Sequence, residues 1–414
     1  MTQKKFLDNF RDEIQKGFVS DRISPNNIAE LQKYKRKSEI PSMENFYEAI
    51  ENFENKKTFE LEKPSVGYFC NIVPEEIILA CDLHPVRLCC EDQVCAQAGE
   101  EIAPGDICCV IKSICGKFYG RLYENLNLVI IPGTCDPKTK LAELISPLKE
   151  IYFLDPGRDS DYLENAAIWE SRYTELFDFL KKRFHKNPGR TQLISACHKT
   201  NKRTEIFRKI YQLRTDYPDS INVFDYYIMI YASFFMEIEL WNDFAEKVYS
   251  QALEKKKTQN KPRILLVGTP VIFPNFKIID VLEQSGLAMA TDIQCTSFGR
   301  FFNPVEIDED TESGIIRALA LKNIAGSICP CLLNLEKMAN LIIDTVNQYN
   351  LDGVIYYNLR LCQVFEIQTA ILRQILKQRN IPFISIKTDL GKEDTGQLKT
   401  RLEAFREMLE SHRK

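Results

Sequence analysis

Fourteen cysteines stand beside only four histidines in this chain of 414 residues. Thiolates are nucleophiles, redox partners and soft metal ligands, so cysteine is the residue type here most able to do chemistry. The close pairs are Cys89-Cys90, Cys108-Cys109 and the C-x-C pair Cys329/Cys331, and none is a C-x-x-C. Structural zinc sites usually combine C-x₂₋₄-C pairs with histidines at short spacing. His84 and His198 lie near cysteines but stand alone, as satisfied structural histidines do. The C-x₂-C-x₂-C run of bacterial ferredoxins is also absent. Thiolates that are scattered in sequence and gathered by the fold can still ligate iron–sulfur clusters.

The rest of the composition narrows the setting. Lys+Arg total 54 against Asp+Glu 58, a net charge of -4, and this near-even balance argues against a nucleic-acid partner. Hydrophobic residues at 44% and charged residues at 27% fit a globular protein rather than a disordered one. The opening MTQKKFLDNF shows no signal-peptide pattern. The most apolar stretch, residues 226–236, is closed by Glu237 and Glu239 and falls short of the ~20 residues of a membrane helix. The thiols are therefore expected to be reduced, in a cytoplasmic protein with no membrane partner. No G-x-x-x-x-G-K-[ST] loop, G-x-G-x-x-G or G-x-S-x-G occurs, so nucleotide chemistry and serine hydrolysis are not expected within the chain. Gly268-Thr269-Pro270 follows a strand and could present backbone N–H groups to an anion, a weak signal that a plain strand-to-helix turn matches equally.

The elements that must position these cysteines read as two α/β halves. Residues 1–62 form a helical N-terminal segment, with Phe6, Phe10, Ile14 and Phe18 on one helix face. Residues 63–158 form a first α/β cluster-binding domain, with strands at 65–69, 85–88, 128–131 and 151–154 and helices at 74–80 and 138–148. Residues 159–260 form a helical connection, with helices at 162–185, 204–213 and 223–256. Residues 261–414 form a second α/β cluster-binding domain closed by a C-terminal helix, with strands at 264–267, 287–293, 353–357 and 382–386. Strands alternating with helices predict two Rossmann-like parallel sheets. The halves look like a degenerate repeat: Cys70, Cys108 and Cys135 in the first match Cys295, Cys329 and Cys362 in the second. Ligands in such sheets sit beyond the carboxyl ends of the strands, so cysteines placed there aim at a common crevice.

The segment Gly67-Tyr68-Phe69-Cys70-Asn71-Ile72-Val73-Pro74-Glu75-Glu76-Ile77-Ile78 resembles the family of 2-hydroxyacyl-CoA dehydratases and benzoyl-CoA reductases. Cys108-Cys109-Val110-Ile111-Lys112-Ser113 is similar to that family's cysteine followed by an Ile-Lys-Ser turn. Gly133-Thr134-Cys135-Asp136-Pro137-Lys138, Asp352 to Cys362 and the closing set from Ile381 to Arg401 agree in order. The resemblance runs from about residue 60 to the C-terminus. Ala80-Cys81-Asp82 and Cys115 depart from the family's pattern.

The resemblance implies an oxygen-sensitive iron–sulfur protein fed with low-potential electrons by a separate ATP-hydrolysing activator. Because matching cysteines occur in both halves, the chain looks most like the homodimeric branch that carries a double-cubane [8Fe–9S] cluster. Two cubanes sharing a sulfide would take six thiolates. Cys70, Cys108 and Cys135 are expected on one, and Cys295, Cys329 and Cys362 on the other. Cys89 stands as an alternative to Cys70, Cys109 to Cys108 and Cys331 to Cys329. Cys81, Cys90, Cys95, Cys115 and Cys197 are expected to be structural. Lys112 and Ser113 beside Cys108 are candidate cofactor-binding groups, and Glu75 and Glu76 candidate helix caps. The expected function is ATP-coupled reduction of a small substrate. The alternatives are a 2-hydroxyacyl-CoA dehydratase subunit with one [4Fe–4S] cluster and a non-catalytic cluster carrier.

Overall fold

A computed structural model describes residues 27–55, 63–158, 162–258 and 260–413. The periodic residues Phe6, Phe10, Ile14 and Phe18 lie outside these. The protein is α/β, with two four-stranded sheets. The first holds β1 (Ser65–Tyr68), β2 (His84–Arg87), β3 (Leu128–Pro132) and β4 (Ile151–Leu154) in the order β2-β1-β3-β4. The second holds β5 (Arg263–Gly268), β6 (Ala288–Ile293), β7 (Gly353–Leu359) and β8 (Phe383–Thr388) in the order β6-β5-β7-β8. Every pairing is parallel, with Gly67 opposite Val86 and Val129 in the first sheet and Leu266 opposite Ile355 in the second. β3 and β7 are buried at every residue, because helices cover both faces of their sheets. The repeat read in the sequence is thus a repeat of topology. In each sheet the strand order reverses between the first and third strands, and the crevice at their carboxyl ends is the ligand position of this architecture.

Between the sheets runs the helical insertion: Tyr162–Arg183, Arg190–Asp216, Val223–Ala232 and Ile238–Leu253. The helix expected over 223–256 is broken at residues 233–237. The carbonyls freed there are taken by the first sheet: Phe234 O accepts from the Arg87 N–H at 2.7 Å, and Phe235 O bonds His84 Nε2 at 2.8 Å. The break is therefore an attachment point, which helical periodicity does not reveal. The N-terminal helices Asn27–Lys35 and Glu44–Asn55 bind both this insertion and the second half. Tyr47 donates to Asp225 at 2.8 Å, and Lys33 pairs with Asp280 at 2.7 Å.

Glu75 and Glu76 open the helix Glu75–Ala80, as expected of acidic residues at a helix N-terminus, but both are buried in ion pairs. Glu75 binds Arg203 of the insertion, and also Arg300 of the second half at 3.0 Å. Glu76 pairs with Lys322 at 2.6 Å. These contacts fasten the first sheet to the insertion and to the second half behind the strand ends. The Ile-Lys-Ser segment, expected as a turn, lies inside the helix Cys109–Tyr119.

Candidate functional site

The candidate thiols sit where the chain leaves a strand, begins a helix or crosses a loop. Cys70 follows β1, Cys89 follows β2 and Cys295 follows β6. Cys108, Cys135 and Cys362 are the N-cap residues of the helices Cys109–Tyr119, Asp136–Ile145 and Gln363–Gln378. Cys329 and Cys331 lie in the loop between helices Glu312–Gly326 and Leu335–Tyr349. Two strand exits use left-handed backbone at bulky residues, with φ 61° at Cys70 and φ 65° at Leu361, directly before Cys362. Such conformations cost on the order of 1–3 kcal/mol and persist where the surroundings impose them. Here they turn the chain sharply at the crevice.

Cys70, Cys89, Cys108, Cys135, Cys295, Cys329, Cys331 and Cys362 all line one cavity of about 140 Å³ between the two sheets. Its remaining walls are mostly apolar, with Phe69, Ile72, Ile111, Ile272 and Phe365 among them. Four of these cysteines, Cys108, Cys135, Cys331 and Cys362, also border an open surface cleft of about 720 Å³. The other four, Cys70, Cys89, Cys295 and Cys329, lie deeper. Cys295 has Cys89, Cys70 and Cys329 as its sulfur neighbours, whereas Cys362 has Cys108 and Cys135. The sulfurs thus form an inner and an outer set of four, and each set takes two from either half. This is not the grouping by halves expected from the sequence, because the sheets meet at their strand ends and interleave their loops.

The electrostatics follow from burial and a few fixed charges. Burial pushes the Cys295 and Cys362 thiols up to about 12, and raises Cys70 and Cys108 as well. Cys331 reverses this for its neighbours: hydrogen bonds from its thiol bring Cys135 down to about 5 and Cys329 to about 7, with Lys138 adding to both effects. Lys138 Nζ is 2.6 Å from Cys70 Sγ and 3.1 Å from Thr134 Oγ1. Burial opposes its charge, but Cys70, Cys135, Cys331 and Cys329 hold it well above the ordinary lysine value. In the outer set, backbone N–H groups of Ile111, Lys138 and Phe365, in the first turns of the three helices, also favour the ionised sulfur. Arg87 does the same for Cys295 in the inner set.

Among the described residues, no three His, Cys, Asp or Glu side chains converge as ligands of a single metal ion. The donor set fits a polynuclear cluster instead. A [4Fe–4S] cubane takes four cysteines, one for each iron, so its thiolates surround a volume rather than a point. Eight thiols stand against a single carboxylate, Glu91, and no imidazole on the cavity wall, which matches iron–sulfur chemistry better than zinc or magnesium. No disulfide occurs among the described residues.

Other candidates fall elsewhere. Cys109 follows Cys108 but does not line the cavity. Lys112 Nζ bonds Glu100 at 2.8 Å and the Gly105 carbonyl at 2.7 Å, and Ser113 donates to Cys90 Sγ at 2.8 Å. Neither reaches the cavity wall. Cys81, Cys90, Cys95, Cys115 and Cys197 are buried away from it. Lys138, Arg87 and Asn71 are site residues that sequence reasoning did not select. Lys138 carried a signal, since it sits one helical turn after Cys135. Arg87 carried none beyond lying two residues before Cys89, and Asn71 none beyond following Cys70 in the segment that bears the resemblance.

Comparison with known proteins identifies the neighbourhood of this arrangement. The family described as 2-hydroxyglutaryl-CoA dehydratase, D-component, matches residues 70–409. A putative dehydratase subunit, YjiM, of Escherichia coli (strain K12) is 28% identical over 357 residues, covering 84% of this chain and 91% of that protein. The beta subunit of (R)-2-hydroxyglutaryl-CoA dehydratase of Acidaminococcus fermentans is 22% identical, covering 84% and 93%. One of the subunits of benzoyl-CoA reductase of Thauera aromatica is 20% identical, covering 80% and 86%. Among the described residues, no helix is long and apolar enough to cross a membrane.

Proposed function

Because the chain belongs to the family of 2-hydroxyglutaryl-CoA dehydratase D-components, we propose that it is a cytoplasmic iron–sulfur reductase of a small substrate. It would accept low-potential electrons from an ATP-hydrolysing activator and use a double-cubane [8Fe–9S] cluster. The observation that carries this reading is the gathering of eight thiols from both halves around one cavity, in two sets of four. A single cubane would need at most one set, and two cubanes that share a sulfide would need three thiols from each. Cys70, Cys295 and Cys329 are the proposed inner ligands, and Cys108, Cys135 and Cys362 the proposed outer ones. Cys89 and Cys331 are their alternates.

When bound, such a cluster supplies electrons at low potential. The chain's own residues do the rest. Lys138 and the three helix N-termini hold positive potential against a thiolate-rich group. The apolar walls keep bulk water from the reaction. The cleft beside Cys108, Cys135 and Cys362 gives substrate a way in. Lys112 and Ser113 act at one remove: Lys112 ties down the loop before Cys108, and Ser113 ties its helix to the Cys90–Asp92 segment. We further propose a homodimer, because closed two-fold symmetry is the commonest oligomer of soluble proteins. Only monomer in anaerobic sedimentation would oppose that.

The decisive experiment combines anaerobic iron analysis with turnover. The reductase should hold about eight irons per chain. With activator and ATP it should reduce hydroxylamine to ammonia. The second reading, a 2-hydroxyacyl-CoA dehydratase subunit, is favoured by the relatives' names and by a cleft large enough for a bulky acyl substrate. About four irons and no hydroxylamine reduction would decide for it.

A further inference from the structure

Any two-electron reduction inside the thiol cavity also consumes protons, and only Arg87, Glu91 and Lys138 interrupt its mostly apolar walls with charge. Behind one wall lies a second chamber of about 30 Å³. Asn71, Ile72, Arg87 and Ser327 border both spaces. The chamber is more densely charged than the cavity, with Glu75, Glu76, Arg300 and Lys322 around it beside the shared Arg87. Arg87 is 3% exposed and Arg300 8%, yet the Nε of each has no hydrogen-bond partner among the described residues. A buried N–H facing polar space without a protein partner is a water site. A volume of ~30 Å³ holds about two waters, at ~10–15 Å³ each. The far side reaches solvent: Lys322 pairs with Glu76 at 2.6 Å, and its side chain is 13% exposed against 2% for Glu76.

We propose that this chamber is the proton inlet of the thiol cavity. Ordered waters held by Arg87 and Arg300 carry protons from the Glu76–Lys322 pair past Asn71 and Ser327. The idea rests on the reductase reading above. For hydroxylamine the balance is NH₂OH + 2 e⁻ + 2 H⁺ → NH₃ + H₂O, with both electrons from the activator. Each proton enters from solvent beside the Glu76–Lys322 pair and is relayed by the chamber waters, each taking one proton and passing one of its own forward. The pair fixes the mouth of the chamber. Electrons and substrate use the open cleft side, so the two supplies do not compete for one path.

The test uses the full-length holoprotein with activator and ATP. In one variant Glu76→Gln and Lys322→Met are combined, so that neither charge is left buried alone. In a second, Asn303→Leu fills the chamber and removes no charge, since Asn303 also borders it. Both should keep the parent's iron content and its rate of cluster reduction without substrate. Hydroxylamine reduction should fall by about tenfold or more, at the low end of proton-transfer effects. The solvent deuterium isotope effect should rise, because proton delivery now limits the rate. Crystals of the parent should show water between Arg87 Nε and Arg300 Nε, and crystals of Asn303→Leu should not. Unchanged rates and isotope effects in both variants, or a dry chamber in the parent, would overturn the inlet while leaving the reductase intact. A parent that holds iron but reduces no hydroxylamine overturns the reductase reading itself, and the inlet with it.

Discussion

Replacing Cys295 with serine separates one cubane from two. Cys295 belongs to the inner set, and its sulfur neighbours are Cys89, Cys70 and Cys329. The outer sulfurs Cys108, Cys135, Cys331 and Cys362 have their own border on the cleft. The loop does not depend on the thiol for its shape: Asn71 Nδ2 holds the Cys295 carbonyl at 2.6 Å, and Gln294 donates to the Thr269 carbonyl at 2.6 Å. Serine is nearly isosteric, so the fold should survive. Burial already lifts this thiol to about 12, and a hydroxyl in the same place ionises with still more difficulty and is a harder ligand. The inner group should therefore be lost or become labile while the outer one stays. Iron should drop from about eight per chain toward about four. Cys362→Ser should remove the other half. Anaerobic iron and sulfide analysis with paramagnetic resonance of the reduced protein measures both. Full iron and an unchanged spectrum in Cys295→Ser would show that Cys295 is not a ligand, and the two-cubane reading would give way to one cluster.

Three further outcomes are expected. Glu75→Gln leaves Arg203 and Arg300 buried without their shared carboxylate and should cost about 3–5 kcal/mol in urea unfolding; a loss under about 1 kcal/mol would show that the clamp is not needed. Burial raises Asp225 from 3.8 to about 6, so the native state binds its proton more tightly than the unfolded chain. Its contribution is complete below about pH 4 and lost as pH rises through about 6, a swing of about 3 kcal/mol. Asp225→Asn should therefore gain on the parent across that window and run parallel above it, and urea midpoints that stay parallel throughout would refute this. In the iron-free protein, Lys138→Met should shift the alkylation of Cys135 toward higher pH, since Lys138 helps hold that thiol near 5; an unmoved profile would exclude the lysine as a cause.

The strands were legible because they are short apolar runs, and those from 128–131 and 353–357 need no other signal. The long-range pairing that brings the two halves together left no local trace, so the sequence grouped the sulfurs by halves while the fold gathers them from both around one cavity. Two helices near the site, Gln93–Gly99 and Cys109–Tyr119, were not foreseen as a packed pair. They touch backbone to backbone: a Cβ on Gly99 would lie 1.9 Å from the Lys112 carbonyl oxygen, and one on Gly116 2.0 Å from that of Cys95. Helices joined through glycine need no wide apolar stripe, which is the pattern periodicity detects. Lys112 and Ser113 lie on that helix but reach Glu100 and Cys90 rather than the cavity sulfurs, a direction that adjacency to Cys108 does not give.

Drawing each sulfur set from both halves also sets when, in the life of the chain, the proposed cluster could be taken up. Cys135 and Cys362 are separated by 362 − 135 = 227 residues. At ~5–20 residues per second, a ribosome makes the second about 11–45 s after the first. Through that interval the first sheet can form, but its four cavity thiols have no partners from the second. They wait as free thiols, open to oxidation or to the wrong metal. For the proposed cluster, iron delivery would therefore be a step that follows synthesis, and whatever guards the nascent thiols would act before it.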